Sequence, residues 1–305
     1  MELYPSCITC VMNNVLHVSR RVLPDDDTRF ELLREITRRI DGELHRHSSA
    51  PVLTEIAFSV LREFSGVADP FEKIKQEFNE RMLQARDHYR KLIEDSPDPL
   101  HAALVAAGAA NLIDFGAFRN VSGEQAAETL RHHMEHTSLS ERTYADFADA
   151  LGKERKILIL SDNAGEIVLD TILVDVLQNR FPGMDVTCAV RGGPILNDVT
   201  LEDARQVGLA RQCRVISTGL AVPGTIPERS TREFQTVWEK APVILAKGVG
   251  NFESAPFGDD RIFFLFIIKC ETLSRLTESA EGTLIFQKGR GSLLADTSDA
   301  ASSRN

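Results

Sequence analysis

The chain has 305 residues, 43% hydrophobic and 26% charged. That is the balance of a folded globular protein rather than a disordered or fibrous one, and the length suits two units of about 150 residues or one large one. With 35 Lys and Arg against 45 Asp and Glu the formal net charge is −10, and no basic run exists to gather nucleic-acid phosphate on one face, so no nucleic-acid partner is expected. The longest apolar run, 262–268, falls well short of the roughly 20 residues a helical bilayer crossing needs, so no membrane partner is expected either.

The opening residues, MELYPSCITC, lack the charged and apolar regions of a secretory signal, which implies a cytoplasmic location with the five cysteines reduced. Residues 1–152 read as a helical N-terminal region of about six or seven helices. From Phe71 the pattern is clearest: Phe71, Ile74, Phe78, Met82, Ala85, Tyr89 and Leu92 recur every three or four positions, so one face is buried. Pro51 opens and Gly66 closes one helix, Asp69-Pro70 starts the next, and Ser96-Pro97-Asp98-Pro99 separates it from HAALVAAGAANLID.

Residues 153–290 change character. Short β-rich runs at 156–160, 186–190, 214–218, 242–247, 262–268 and 283–286 alternate with helical stretches, and most are continuously apolar. Strands buried on both faces look like this, so the expected fold is α/β: a three-layer α/β/α domain with a mostly parallel sheet. The small, polar residues 291–305 read as a flexible tail.

In such sheets ligands bind beyond the carboxyl ends of the strands. Three strand-end loops carry chemistry. In SDNAGEIVLD (161–170), Asp162 and Asn163 offer a carboxylate and an amide carbonyl, hard oxygen donors suited to Mg²⁺ or Mn²⁺. The helix N-terminus behind them has N–H groups that could meet a phosphate oxygen. Equally, Asp162 or Asn163 could simply cap that helix. In RGGPILNDVTLEDA (191–204), Arg191, Asn197, Asp198 and Asp203 reach the same rim. Asp198 could be a second metal ligand, or Asn197, Asp198 or Thr200 could start the helix through Ala204. In AKGVGNFES (246–254), Lys247 stands beside two glycines with Asn251 and Glu253 following, an anion cradle or a plain turn. Together the three loops hold the parts for metal-assisted phosphoryl chemistry.

Five motifs in order, Cys7-x-x-Cys10, AANLIDFG (109–116), SDNAGE (161–166), PILNDVT (194–200) and KGVGNFE (247–253), with Lys269-Cys270 after them, make nearly the whole chain resemble the domain-of-unknown-function 89 family, the metal-dependent damage-control phosphatases. The Cys pair and long helical region resemble its prokaryotic branch. The resemblance implies a divalent metal ion (Mg²⁺, Mn²⁺, Co²⁺ or Ni²⁺) held by Asp162, Asn163 and Asp198, and hydrolysis of a small phosphorylated metabolite, a sugar phosphate or a damaged phosphometabolite. It also implies Lys247 on the phosphate with Asn251 and Glu253 shaping the pocket. Asn111, Asp114, Glu166 and Arg191 are the further substrate-binding candidates. Asp162, Asp198 and Lys247 are then the catalytic candidates, and water attack and a phosphoenzyme both remain open.

Two other classes compete. The same loops could sense a metal or phosphometabolite without turnover, with the Cys pair reporting redox state. A carboxyl methyltransferase is the third reading, although no GxGxxG cofactor loop is present. Cys7-x-x-Cys10 lacks a second CxxC for a four-thiolate zinc site; Cys7, Cys10 and Cys270 together could hold a soft metal or form a redox latch, and two small buried residues are the plainer alternative. His132, His133 and His136 do not form HExxH and, like His45 and His47, read as a solvated face. Oligomeric state is not legible.

Overall fold

The computed structural model describes residues 1–109, 128, 131–132, 134–256 and 258–289. Asn111, Asp114, His133 and the expected tail therefore lie outside the described residues. The N-terminal helices are α1 (Pro5–Val22), α2 (Asp26–Ile40), α3 (Ala50–Ser65), α4 (Glu72–Glu94), α5 (Pro99–Ala109) and α6 (Glu141–Glu154). Their ends follow the expected punctuation. Pro51 sits in the first turn of α3, and Gly66 closes it in the left-handed region at φ 66°, which only glycine adopts without strain. Asp98 accepts from the Leu100 and His101 N–H groups at the start of α5.

The strands are β1 (Lys156–Leu160), β2 (Asp185–Val190), β3 (Arg214–Ser217), β4 (Ile244–Lys247), β5 (Ile262–Ile267) and β6 (Leu284–Lys288). They form one sheet in the order β3-β2-β1-β4-β5-β6. All neighbours are parallel except β5 and β6, which run antiparallel. The connecting helices are α7 (Glu166–Arg180), α8 (Leu201–Gln206), α9 (Arg232–Lys240), α10 (Val249–Ser254) and α11 (Glu271–Thr277). The order reverses between β1 and β4, a topological switch point of the kind at which open α/β sheets bind ligands.

Because side chains alternate across a strand, each central strand feeds two cores. Ile157, Ile159, Leu245, Phe263 and Leu265 face α4, α5 and α7. Leu158, Leu160, Ile244, Phe264 and Phe266 face α9 and α10, with Phe234, Trp238 and Phe252 filling that side. Helix α7 is buried from Glu166 through Val174 without a break, since it lies between the sheet and the layer of α4 and α5. A third core joins α1, α2 and α3, and into it Ile195 of the loop after β2 inserts its side chain. Burying an isoleucine so completely stabilises by roughly 1.5–3 kcal/mol. The helical region thus grips a loop that carries site residues. Among the described residues no helix is long and apolar enough to cross a membrane.

Candidate active site

Backbone pairing brings the first two loops together. Val199 N–H donates to the Asp162 carbonyl and Ala164 N–H to the Asn197 carbonyl, at 2.9 Å each, and Asn163 and Asp198 form an isolated antiparallel bridge. The acid-amide pair after β1 and the second acid after β2 are therefore neighbours by main-chain register. The capping alternatives do not describe them. Gly165 is the N-cap of α7 and no side chain caps it. Thr200 caps α8 in a reciprocal box with Asp203, which leaves Asp198 for another use.

Arg191 stands between the two acids. Its Nε donates to Asp198 Oδ2 at 2.6 Å, and Nη2 lies 3.8 Å from Asp162 Oδ1. Nη1 donates to Asn251 Oδ1 at 3.2 Å. Nη2 is buried and has no hydrogen-bond partner among the described residues. Asn163 uses its amide N–H groups on Asp162 Oδ2 and Glu166 Oε1, both at 2.8 Å, so its carbonyl oxygen is the end left to accept a cation. Gly248, at φ 82°, presses against Asp162: a Cβ there would lie 2.0 Å from Asp162 Oδ2, a distance no side chain tolerates. Only glycine lets the β4 loop approach that carboxylate.

The expected rim is in fact an interior. Asp162 and Asn163 are each 7% exposed and Asp198 3%, because Arg191 and the Gly248 backbone close over them. Lys247 also differs from expectation. It is the last residue of β4, 1% exposed, and its Nζ reaches Asp170 Oδ1 at 2.5 Å and Glu166 Oε2 at 3.6 Å. Two acids on α7 would be buried without a counter-ion otherwise, so the ammonium points into the fold rather than across an open cradle. Asn251 is a strut: its amide N–H donates to the Lys247 carbonyl at 2.7 Å, and its Oδ1 accepts from Thr225 and Arg191. Glu253 stands elsewhere, beside the cysteines, where its charge helps raise the Cys7 and Cys10 thiols after burial has done most of it.

Two groups in this network escaped the sequence reading. Asp170 is one, and its signal was a second acid in an otherwise apolar helix. Asn79 of α4 is the other: its Oδ1 accepts from Gly165 N–H at 2.7 Å, and its amide donates to Asp203 at 3.1 Å. Lys75, one turn earlier, pairs with Asp69 and Asp203 at 2.9 and 3.2 Å. A cleft of about 600 Å³ lies alongside, lined among others by Lys75, Arg191, Gly192, Gly193 and Arg205.

Burial dominates the titration of the acids. It raises Asp162, lifts Glu166 to about 8 and lifts Asp198 to about 7, against the lowering effect of Arg191 and Lys247. Burial alone would lower Lys247, but Asp170 and Glu166 hold it above its ordinary value. Among the described residues four buried carboxylates (Asp162, Glu166, Asp170, Asp198) face two buried cations (Arg191, Lys247). The donors of these acids are oxygens, which fit a hard cation. No three His, Cys, Asp or Glu side chains among the described residues are arranged to hold a metal by themselves; Asp162, Asn163 and Asp198 offer two acids and an amide. Cys270 lies close enough to help raise the Cys7 and Cys10 thiols without the three making such a set. His132 and His136 are exposed, with ring centroids 4.2 Å apart.

A mostly parallel α/β sheet with an acid-amide loop, a second acid and a buried guanidinium at its switch point defines a class: α/β proteins with a charged site at the strand ends. The chain belongs to the damage-control phosphatase ARMT1-like family, whose domain model matches residues 3–285. It is 30% identical to a damage-control phosphatase of Pyrococcus horikoshii over 95% of this chain and 99% of that one. It is 29% identical to a damage-control phosphatase of Archaeoglobus fulgidus, over 90% and 95%. The crystal structure of a DUF89 family protein from Pyrococcus horikoshii superimposes with a TM-score of 0.87 at 27% identity, covering 95% of this chain and 99% of that chain.

Proposed function

We propose that the protein is a divalent-metal-dependent phosphatase that hydrolyses a small phosphorylated metabolite, a sugar phosphate or a damaged phosphometabolite, in metabolite repair. The observation that carries this reading is the pairing of Asp162 and Asp198 about Arg191, whose Nη2 is buried and lacks a hydrogen-bond partner among the described residues. Relatives bearing the phosphatase name support it.

Asp162, Asn163 and Asp198 would hold the ion, which when bound neutralises phosphoryl charge and supplies an activated water. The chain's own groups do the rest. Arg191 has its Nε fixed on Asp198 and its Nη1 on Asn251, so Nη2 is aimed without rotational freedom and donates to a phosphoryl oxygen. Asn79, through Gly165, holds the acid-amide turn in place. Lys247 pairs with Asp170 and Glu166 behind the site and adds positive field to it, rather than gripping the phosphate itself. The Ala164, Gly165, Ile167 and Val168 N–H groups at the start of α7 already have acceptors, so the main anion donor is the guanidinium rather than the helix end.

The test is phosphate release from p-nitrophenyl phosphate and a sugar-phosphate panel with Mg²⁺, Mn²⁺, Co²⁺ or Ni²⁺, with and without EDTA. Turnover is expected only with metal, and Asp162→Ala is expected to lower it by more than about tenfold. Activity that survives both EDTA and Asp162→Ala removes the reading, and tight binding of a phosphometabolite with no release selects the sensor instead.

A further inference from the structure

The site leaves one pair of nucleophiles unused. Cys188 is buried on β2, and Cys213, immediately before β3, is half-buried. In the parallel register Cys188 lies opposite Val215. Cys213, two residues earlier, therefore projects from the same face of the sheet. Their sulfurs are 3.6 Å apart. A disulfide bond is about 2.05 Å long; diagonal neighbours in a sheet sit roughly 7–8 Å apart at Cα, so closing the bond also shifts the backbone of Cys213, which lies just before β3. The other three cysteines lie around the start of α1 and α11, but among the described residues only Cys188 and Cys213 have sulfurs in contact.

We propose that Cys188 and Cys213 are an oxidation site, a dithiol that a hydroperoxide converts into an intramolecular disulfide between β2 and β3. The roles are set by surroundings. Cys213 is the one solvent reaches, and its thiol is held below the ordinary range, first by its hydrogen bond with Cys188. The Cys188 thiol is raised well above that range by the same hydrogen bond and by burial. A partly exposed thiolate beside a protonated, buried partner is the arrangement of a peroxide-sensitive cysteine with its resolving thiol.

The chemistry balances in two steps. The Cys213 thiolate attacks one peroxide oxygen; the O–O bond breaks, a sulfenic acid forms and the other oxygen leaves as water or alcohol after taking a proton. The Cys188 sulfur, losing its proton, then attacks the Cys213 sulfur; the S–O bond breaks, water leaves and the S–S bond forms. Two thiols lose two electrons, and one hydroperoxide gains them. Cys188 stands three residues before Arg191, so the new bond would tie the strand that delivers the guanidinium to its neighbour.

The experiment uses the full chain, reduced and desalted, then treated with hydrogen peroxide, alkylated and mapped by mass spectrometry without reduction. The expected product is a Cys188–Cys213 linked peptide lacking two hydrogens, formed before any change at Cys7, Cys10 or Cys270 and reversed by dithiothreitol. Free thiols should fall from five to three. In Cys188→Ser, Cys213 should be trapped by dimedone as the sulfenic acid and pass on to the sulfinic acid, which wild type avoids. The proposal is overturned if peroxide leaves both thiols intact, if the linked peptide joins other cysteines first, or if Cys213 over-oxidises equally fast with and without Cys188. None of these readouts depends on phosphatase activity.

Discussion

Lys247 is where residue chemistry and position pulled apart. A lysine between a strand and a glycine pair suggests a ligand for phosphate, yet β4 is central, so its last side chain enters the interior and meets Asp170 and Glu166. Removing one member of a buried pair leaves the other charge unpaired, which costs on the order of 3–5 kcal/mol, whereas replacing both by apolar groups of similar size is often neutral. Lys247→Met is therefore expected to destabilise by about that amount in urea unfolding, and Lys247→Met with Asp170→Leu to recover most of it. If Lys247→Met unfolds at the wild-type urea concentration, the ammonium is not holding the pair together. Asp162, Asn163 and Arg191, just past β1 and β2, and Asp198, in the loop after β2, stood out in the sequence because strand ends are where chemistry collects. Asp170 carried only the faint signal of an acid in a buried helix, because its partner is 77 residues away. Asn79 was hidden for the same reason: nothing local in α4 says that its amide will satisfy Gly165.

At the scale of elements, local signals worked where the physics is local. The proline and glycine at the ends of α3, the Asp98 cap and all six β-rich runs correspond to observed elements. Direction was another matter: alternation and apolarity are the same for parallel and antiparallel strands, so the antiparallel β6 could not be told from the rest. The Asp98 junction shows how separately legible elements are locked together. Asp98 caps α5, accepts from Tyr144 Oη of α6 at 2.5 Å and from Arg180 of α7 at 2.7 Å. Burial pushes its carboxyl up, but these hydrogen bonds and the Arg180 charge outweigh that and hold it below the ordinary range. An acid with a lowered native value stabilises the fold above its unfolded value of about 3.9 and loses that contribution as pH falls through the native value. The groups are more than a third exposed, so screening limits the effect to about 1 kcal/mol. Asp98→Asn should be less stable than wild type by that amount at pH 7 and indistinguishable from it near pH 2. Urea midpoints measured at both values check this, and a gap that persists in acid would remove the charge from the account.

For the molecule as a whole, the three cores and the site are one mechanical arrangement. The α1 to α3 core holds Ile195, the α4 layer holds Gly165 through Asn79, and the sheet holds Arg191 and Lys247. These clamps bring four carboxylates and two cations into one interior. Burial then raises Asp162, Glu166 and Asp198. For an acid, a raised native value means the unfolded chain binds fewer protons than the native one between the two values, so the metal-free protein loses stability as pH rises from about 4 toward 8. A divalent cation in the site opposes that loss, and a ligand that binds only the native state at a hundred times its dissociation constant adds about 2.7 kcal/mol. For a domain of this size that corresponds to a rise in Tm on the order of 5 °C. Calorimetric scans of the EDTA-treated protein at pH 8, with and without Mn²⁺, are expected to show such a rise, smaller at pH 6 where protons compete for the acids. Asp198→Asn removes one donor and one buried negative charge together. The variant should melt at or above the metal-free wild type and no longer respond to Mn²⁺. A variant that keeps the full Mn²⁺ shift would place the cation somewhere other than between the loops that follow β1 and β2.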